Sequence, residues 1–185
     1  MVLNSHQISF LVYSNPASSP WLVSCAHAPS TGADRSSFWS LLESTGNRFQ
    51  GPWILIGDFN AILSSAEKKG GRNFGSPSHN SFVDFVHSNG LVDLGYVGNP
   101  FTWNNNRQGT HNIKERLDRG LSNHNWILLF LNALITHLPA IASDHNPLLL
   151  STNNNRPNLP KPFNLRNFGR GISRAMQLLP KLGLL

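Results

Sequence analysis

Apolar and polar positions fall in short blocks along this chain, and the blocks predict strands with helices set between them. Residues 7–14 and 20–26 read as strands. The second is mostly apolar through Trp21-Leu22-Val23-Ser24-Cys25, as a centrally placed strand would be. The period then changes. Phe38, Leu41, Leu42 and Thr45 lie at i, i+3, i+4 and i+7, one face of a helix over 34–47; Trp39 widens that face and Asp34 is its N-cap. Gly51-Pro52 breaks the chain. The run Trp53-Ile54-Leu55-Ile56-Gly57 is wholly apolar and reads as a buried strand. Residues 64–76 are polar and glycine-rich, hence a loop. A second helix is expected over 77–89, with Ser76 as cap, Pro77 in the first turn and Gly90 at the C-terminal left-handed position. Phe82, Val83, Phe85 and Val86 are its buried stripe.

Short strands follow at Leu91–Gly95 and Pro100–Asn104, and Glu115–Leu121 alternates as a further strand. Asn125–Leu131 reads as a short helix, Ala133–Leu138 as extended, and Pro147–Ser151 as a last apolar strand. Strands with interspersed helices predict an α/β body over residues 1–152. After Thr152 the composition turns Pro- and Asn-rich, so residues 153–185 form a separate tail.

Charge sharpens that boundary. Residues 1–155 hold nine Lys/Arg against nine Asp/Glu, so the net charge of +6 lies wholly in Arg156, Lys161, Arg166, Arg170, Arg174 and Lys181. Such a tail can contact phosphate backbones, or it can be a solvated linker. Cys25 is the only cysteine, which excludes an intrachain disulfide; its apolar neighbours point to a buried thiol. No stretch approaches the roughly 18 apolar residues of a membrane span, and no basic residue precedes the run from Ile8 to Tyr13. A nuclear or cytoplasmic protein without a membrane anchor is expected.

Chemistry concentrates in four short segments: Gly57-Asp58-Phe59-Asn60, Phe101-Thr102-Trp103-Asn104, Arg116-Leu117-Asp118-Arg119 and Ser143-Asp144-His145. They hold three of the nine acids. Asp58 and Asn60 end a buried strand, a place where α/β enzymes put reactive groups. The pair can hold a water and a phosphate oxygen, or form a turn that hydrogen-bonds its own backbone. Asp144 is a hard oxygen donor suited to Mg²⁺, and His145 can donate to a phosphoryl oxygen or move a proton. Asp118 can pair with a surface Arg or orient a His. Trp103 is either core or a stacking surface for a base.

In this order the four segments resemble the endonuclease/exonuclease/phosphatase superfamily, which includes the apurinic/apyrimidinic endonucleases and DNase I. They are most similar to the endonuclease domain of plant LINE-type retrotransposons, as are Asp34-Arg35…Phe38-Trp39-Ser40-Leu41-Leu42 and Lys161-Pro162-Phe163-Asn164-Leu165. The resemblance spans roughly residues 20–165. It implies a DNase I-like, four-layer α/β sandwich of two sheets flanked by helices, cleaving phosphodiesters of DNA with Mg²⁺ or Mn²⁺. It implies that Asp58 aligns or deprotonates the water, Asn60 holds a phosphate oxygen, and Asp144 binds the metal. His145, oriented by Asp118, would stabilise charge on the phosphate. His27 and Asn104 would contact phosphate more weakly, and Arg116 would support its strand.

Three departures temper this. The family's metal-binding Glu and an Asn lie on earlier strands, whereas this chain has no acid before Asp34, and Asn4 and Asn15 sit in no matching motif. The chain therefore reads as N-terminally truncated, with the metal weakly bound if at all. His27 stands where relatives have Tyr. No reverse-transcriptase motif follows the domain. A retrotransposon-derived endonuclease-like fragment with weak or no activity is the expected function. The alternatives are a non-catalytic nucleic-acid-binding remnant and a gene fragment without selected activity. Missing strands would also leave a sheet edge open to self-association.

Overall fold

The computed structural model describes residues 1–13, 20–72 and 80–153, so Ser76, Pro77, Asn15 and the basic tail lie outside the described residues. In chain order the strands are β1 (Val2–Asn4), β2 (Gln7–Val12), β3 (Trp21–His27), β4 (Trp53–Asp58), β5 (Lys68–Lys69) and β6 (Val92–Asp93). They continue as β7 (Val97–Gly98), β8 (Trp103–Asn104), β9 (Lys114–Glu115), β10 (Asp118–Ser122), β11 (Leu134–His137) and β12 (Leu148–Ser151). The helices are α1 (Gly32–Arg48), α2 (Ser81–Ser88) and α3 (His124–Leu129).

Six strands form the main sheet in the order β1-β2-β3-β4-β10-β6. A second sheet, β12-β11-β7, lies against one of its faces, and a small sheet, β5-β9-β8, joins the loops at one end. Alternation in β3 and β4 divides the core, because successive side chains point to opposite faces. Leu22, Ala26 and Leu55 pack under α1 and α2, with Trp39 stacked on Phe82 and Phe85 at ring separations of 5.1 and 5.2 Å. Val23 and Ile54 point the other way, towards Trp126 and Phe130 of the α3 region and Leu150 of β12. On the same face Ile135 of β11 closes over Gly120 of β10, where any side chain would collide with it. The expected α/β architecture of two packed sheets is present, with α1 and α2 on the outer face of the larger one.

Several local expectations change. The second helix begins at Ser81, because Asn80 accepts the Phe82 N–H at 3.0 Å and closes its N-terminus. The first helix begins at Gly32, so Asp34 lies in its first turn, not at its cap. The loop over 64–76 contains a 3₁₀ turn at Ser65–Glu67 followed by β5. All five residues of β10 are buried, where an alternating strand was expected. Cys25 is exposed, not buried. The reason is architectural: among the described residues, β11, β12 and β7 lie over β4 and β10 of the main sheet, and none of them covers Ile8, Phe10 and Cys25. Ile8 and Phe10 pair with Cys25 and Val23 and are exposed too.

One polar cluster crosses the interior beside β10. Arg119 Nη2 donates to Glu67 Oε2 at 2.9 Å and Nη1 to Asp93 Oδ2 at 3.1 Å. Arg116 donates to the same two carboxylates, to Glu67 Oε1 at 3.0 Å and Asp93 Oδ1 at 2.8 Å. Burial alone would raise the Asp93 carboxyl, but the two guanidinium groups hold it below its ordinary range. Arg116, expected to support a strand over 115–121, instead lies in the break between β9 and β10 and braces it through these two carboxylates. Removing one cation would leave buried carboxylates uncompensated. Arg119→Ala is expected to lower stability by about 3–5 kcal/mol in urea unfolding; a loss below about 1 kcal/mol would mean that water reaches the cluster.

Candidate active site

The register of three adjacent strands builds the site. β3 and β4 run parallel with His27 opposite Asp58, and β4 and β10 run antiparallel with Asp58 opposite Asp118. The three residues form one rung at the end of the sheet, so their side chains share a face. It is the face of Ile54 and Ile56, turned towards the smaller sheet. Gly57 makes the close approach of β3 and β4 possible. Its φ is 140°, and a Cβ there would collide with the Ala26 carbonyl oxygen.

Asp58 uses its two carboxylate oxygens differently. Oδ1 accepts the Asn60 backbone N–H at 2.8 Å, forming the turn that ends β4. Oδ2 lies 3.9 Å from His27 Nε2. The backbone-bonding turn read for this segment is present, and it leaves Oδ2 facing His27. Asn60 sits at φ 46°, a left-handed position that Asn tolerates, and its Nδ2 donates to the Ala28 carbonyl at 2.7 Å. Arg35 Nη1 donates to the Asn60 carbonyl oxygen and ties α1 to the turn. Burial pushes the Asp58 carboxyl above its ordinary range, the Asn60 N–H opposes this, and the nearby Asp118 adds to it.

His145 arrives from the loop before β12. Its Nδ1 lies 2.9 Å from Asp118 Oδ2, and it forms an isolated antiparallel bridge with Trp103. The Asp118 hydrogen bond holds the imidazole pKa above its ordinary value, against burial. Asp118 is itself buried and pairs with this His instead of an Arg. Asp58, Asp118 and His145 each present a ligand atom, and these atoms lie within 4.8 Å of one another. Two carboxylates and an imidazole are a donor set that a divalent cation fits.

The other candidates stand around this group. Asp144 is fully exposed; its Oδ2 accepts the Trp103 indole N–H at 2.9 Å, which lowers its pKa, and it is not one of the three converging residues. Trp103 is half-buried, neither core nor a free stacking face. Asn104 turns inward to its own loop, its Oδ1 accepting from Asn106 N–H at 3.0 Å and Asn112 Nδ2 at 2.7 Å. His27 has an exposed side chain, and its backbone is held by His6, whose carbonyl accepts the His27 N–H at 3.0 Å.

Thr102 is the residue that sequence reasoning missed. Its buried Oγ1 accepts the N–H groups of Leu117 and Asp118, each at 2.9 Å, while its carbonyl accepts the Asn146 N–H at 2.7 Å. One threonine thereby fixes both the strand carrying Asp118 and the loop carrying His145. Its position between Phe101 and Trp103 in a short motif was the available signal.

Two measurements follow from these partners. Asp118→Asn is expected to bring the His145 pKa down, read from imidazole proton shifts across pH; an unchanged titration would mean that the contact does not persist in solution. Asp58 has its pKa raised by folding, so its contribution to stability falls as pH rises through its titration. Asp58→Asn keeps the turn acceptor and removes that charge. It should stabilise the domain at pH 7 by about 1 kcal/mol, or about 2–4 °C in Tm. The gain should shrink at acid pH, where the wild-type carboxyl is protonated; a lowered Tm at pH 7 would refute it.

A sequence profile of the endonuclease/exonuclease/phosphatase family matches residues 7–145. No curated protein sequence matches the chain. Among solved structures, the endonuclease domain of TRAS1, a telomere-specific non-LTR retrotransposon, is similar with a TM-score of 0.62 at 15% identity, covering 82% of this chain and 65% of that one. The 3′ phosphatase NExo from Neisseria, bound to product DNA hairpin, gives 0.51 at 15% identity, covering 70% and 60%. The catalytic domain of Xenopus laevis APE2 gives 0.51 at 18% identity, covering 77% and 52%. At these identities the likeness is one of fold. The chain spans about half to two thirds of the length of these structures.

Proposed function

Since this chain belongs to the endonuclease/exonuclease/phosphatase family, we propose that it is a phosphodiester hydrolase of the nuclease kind, acting on DNA with Mg²⁺ or Mn²⁺ at low turnover. The observation that carries this reading is the convergence of Asp58, Asp118 and His145 at the end of the sheet rung. A divalent cation held there would polarise the phosphoryl oxygen and neutralise charge that develops on it. The chain's own groups supply the rest. Asp58, with its pKa raised by burial, is suited to align or deprotonate a water. His145, kept protonated to higher pH by Asp118, stabilises negative charge on the scissile phosphate. Asn60 gives one amide hydrogen to Ala28 and has a second for a phosphate oxygen. Asp144 is proposed as an outer carboxylate near the cation.

Low turnover is proposed because, among the described residues, the converging group is two carboxylates and one imidazole, with Asp144 held aside by Trp103. A retrotransposon origin is supported by the sequence motifs and by the likeness to the TRAS1 endonuclease domain. The second reading, a DNA-binding remnant without catalysis, is favoured by the charge of +6 concentrated in the tail. Self-association through an exposed edge of the main sheet is proposed alongside either reading. No described helix is long and apolar enough to cross a membrane, and the nucleus or cytoplasm is the proposed compartment.

Supercoiled-plasmid nicking with Mg²⁺, Mn²⁺ or EDTA tests the two readings. Metal-dependent nicking should fall about 10²- to 10⁴-fold in His145→Ala. Nicking that is equal in EDTA, or unchanged in His145→Ala, would remove the hydrolase reading. Salt-dependent DNA binding that persists without nicking would establish the remnant.

A further inference from the structure

β11 ends on His137, a buried histidine (4% exposed) outside the reactive cluster. Its Nδ1 lies 2.6 Å from the Asn99 carbonyl oxygen. A carbonyl only accepts, so Nδ1 carries the ring proton and donates it. Nε2 is then the bare nitrogen of a neutral ring, and it is buried without a hydrogen-bond partner among the described residues. Tyr96 lies flat against the imidazole, with centroids 4.5 Å apart and planes 7° apart, and Arg116 sits 4.5 Å from the same tyrosine ring. Three segments meet here, and each leads to the reactive cluster. Asn99 opens the turn before Thr102, its Oδ1 accepting the Phe101 N–H at 3.0 Å. Arg116 precedes Leu117 and Asp118, whose N–H groups donate to the Thr102 hydroxyl. His137 also pairs with Leu148, and the Leu138 N–H donates to the Pro147 carbonyl at 2.9 Å, two residues after His145. We propose that His137 is an acid-sensitive latch: a positioning residue whose neutral ring holds the Thr102 segment to the Asp118 strand and the His145 loop, and whose protonation releases it.

The junction accepts a neutral imidazole and rejects a charged one. Protonation would put an N–H on Nε2, where the closed structure offers no acceptor, and a buried donor left unsatisfied is costly. It would also set a second cation against the tyrosine that Arg116 already faces. Burial pushes the His137 pKa below its ordinary value and Arg116 adds to this, while the Asn99 carbonyl, Asp118 and Asp93 oppose it. The closed form therefore binds the proton less readily than an open form in which water reaches the ring. Opening gains free energy as pH falls below the ordinary histidine value of about 6.5, by up to about tenfold in its equilibrium constant per pH unit for one proton. Above that value the latch is closed. What opens first is the Asn99–Thr102 turn, because its bond to Nδ1 and its stacked neighbour Tyr96 both end on this ring.

The latch regulates the site proposed above and rests on that reading only for its effect on nicking; its opening is read without substrate or metal. Amide hydrogen exchange is measured on the full chain from about pH 7.5 to about pH 5, as protection factors with the intrinsic rate divided out at each pH. Protection of the Thr102, Leu117 and Asp118 amides should fall below about pH 6.5 by up to about tenfold per unit. The amide of Leu55, in the core of β4, should keep its protection. His137→Asn retains a donor for the Asn99 carbonyl and does not titrate, so it should flatten the profile. His137→Phe retains a ring against Tyr96 without a donor, and should leave the three amides weakly protected at every pH. A flat wild-type profile would overturn the latch. So would a His137→Asn profile that falls as steeply as the wild type, because the proton would then be taken up elsewhere, at Asp58 or His145. If neither variant folds, the ring proton shifts of His137 in the wild type decide. Titration in step with the loss of protection supports the latch, and titration out of step with it overturns it. Acid-sensitive protection in a chain that nicks no DNA would leave the latch standing while the hydrolase reading fails. Metal-dependent nicking with flat protection would do the reverse.

Discussion

The pairing of β4 with a parallel neighbour on one side and an antiparallel neighbour on the other is the constraint on which this molecule depends. β4 is short and apolar, and both its faces are buried, one under the aromatic layer of α1 and α2 and the other under the smaller sheet. A slip of one residue would exchange those faces along the whole strand, moving Leu55 and Ile54 into each other's environments. The same slip would take Asp58 off the rung it shares with His27 and Asp118. Hydrophobic patterning thus sets the register, and the register sets the chemistry. Register alone places His27, Asp58 and Asp118; His145 comes from a loop and is held to them by Thr102 and by Asp118.

β10 shows how a single strand serves both ends. Asp118 and Arg119 are adjacent, so they point to opposite faces. Asp118 meets His145 on the inner face. Arg119 passes to the other side, lies 5.3 Å from the Phe82 ring, and joins Glu67 and Asp93. The buried charge cluster and the Asp118–His145 pair are therefore back to back, separated only by the backbone. Thr102 caps the arrangement from outside the strand. Electrostatics here does two different things: the buried cluster is compensated, while the reactive group is left with one carboxylate whose ionisation burial opposes.

Much of this was legible in the sequence where a single physical rule decides the outcome. The apolar run at 53–57 could be little else than a buried strand, and the helical period through Phe38, Leu42 and Thr45 left little choice for α1. Bringing Asp58, Asp118 and His145 together was suggested by motif order, not by periodicity. The rest depended on tertiary facts. Cys25 reads as buried because its neighbours are; nothing local says that the second sheet stops short of it. The sequence left Asp118 to pair with a surface Arg or to orient a His, and nothing local shows that Arg119 is buried, because its two carboxylates lie 26 and 52 residues away in sequence. Thr102 is a common strand residue, and only the meeting of two distant segments at its hydroxyl makes it important. Asn104 belongs to the motif but spends its amide on its own loop.

Gly57 gives the architecture a genetic consequence. The Ala26 carbonyl occupies the space that any side chain at this position would need, and the backbone there adopts a conformation that residues with a Cβ rarely enter. Every missense change at this codon would pry β3 from β4 at the rung itself. A side chain at a residue with no functional group would thus displace His27 and Asp58 from their shared rung as surely as a break in the strand itself.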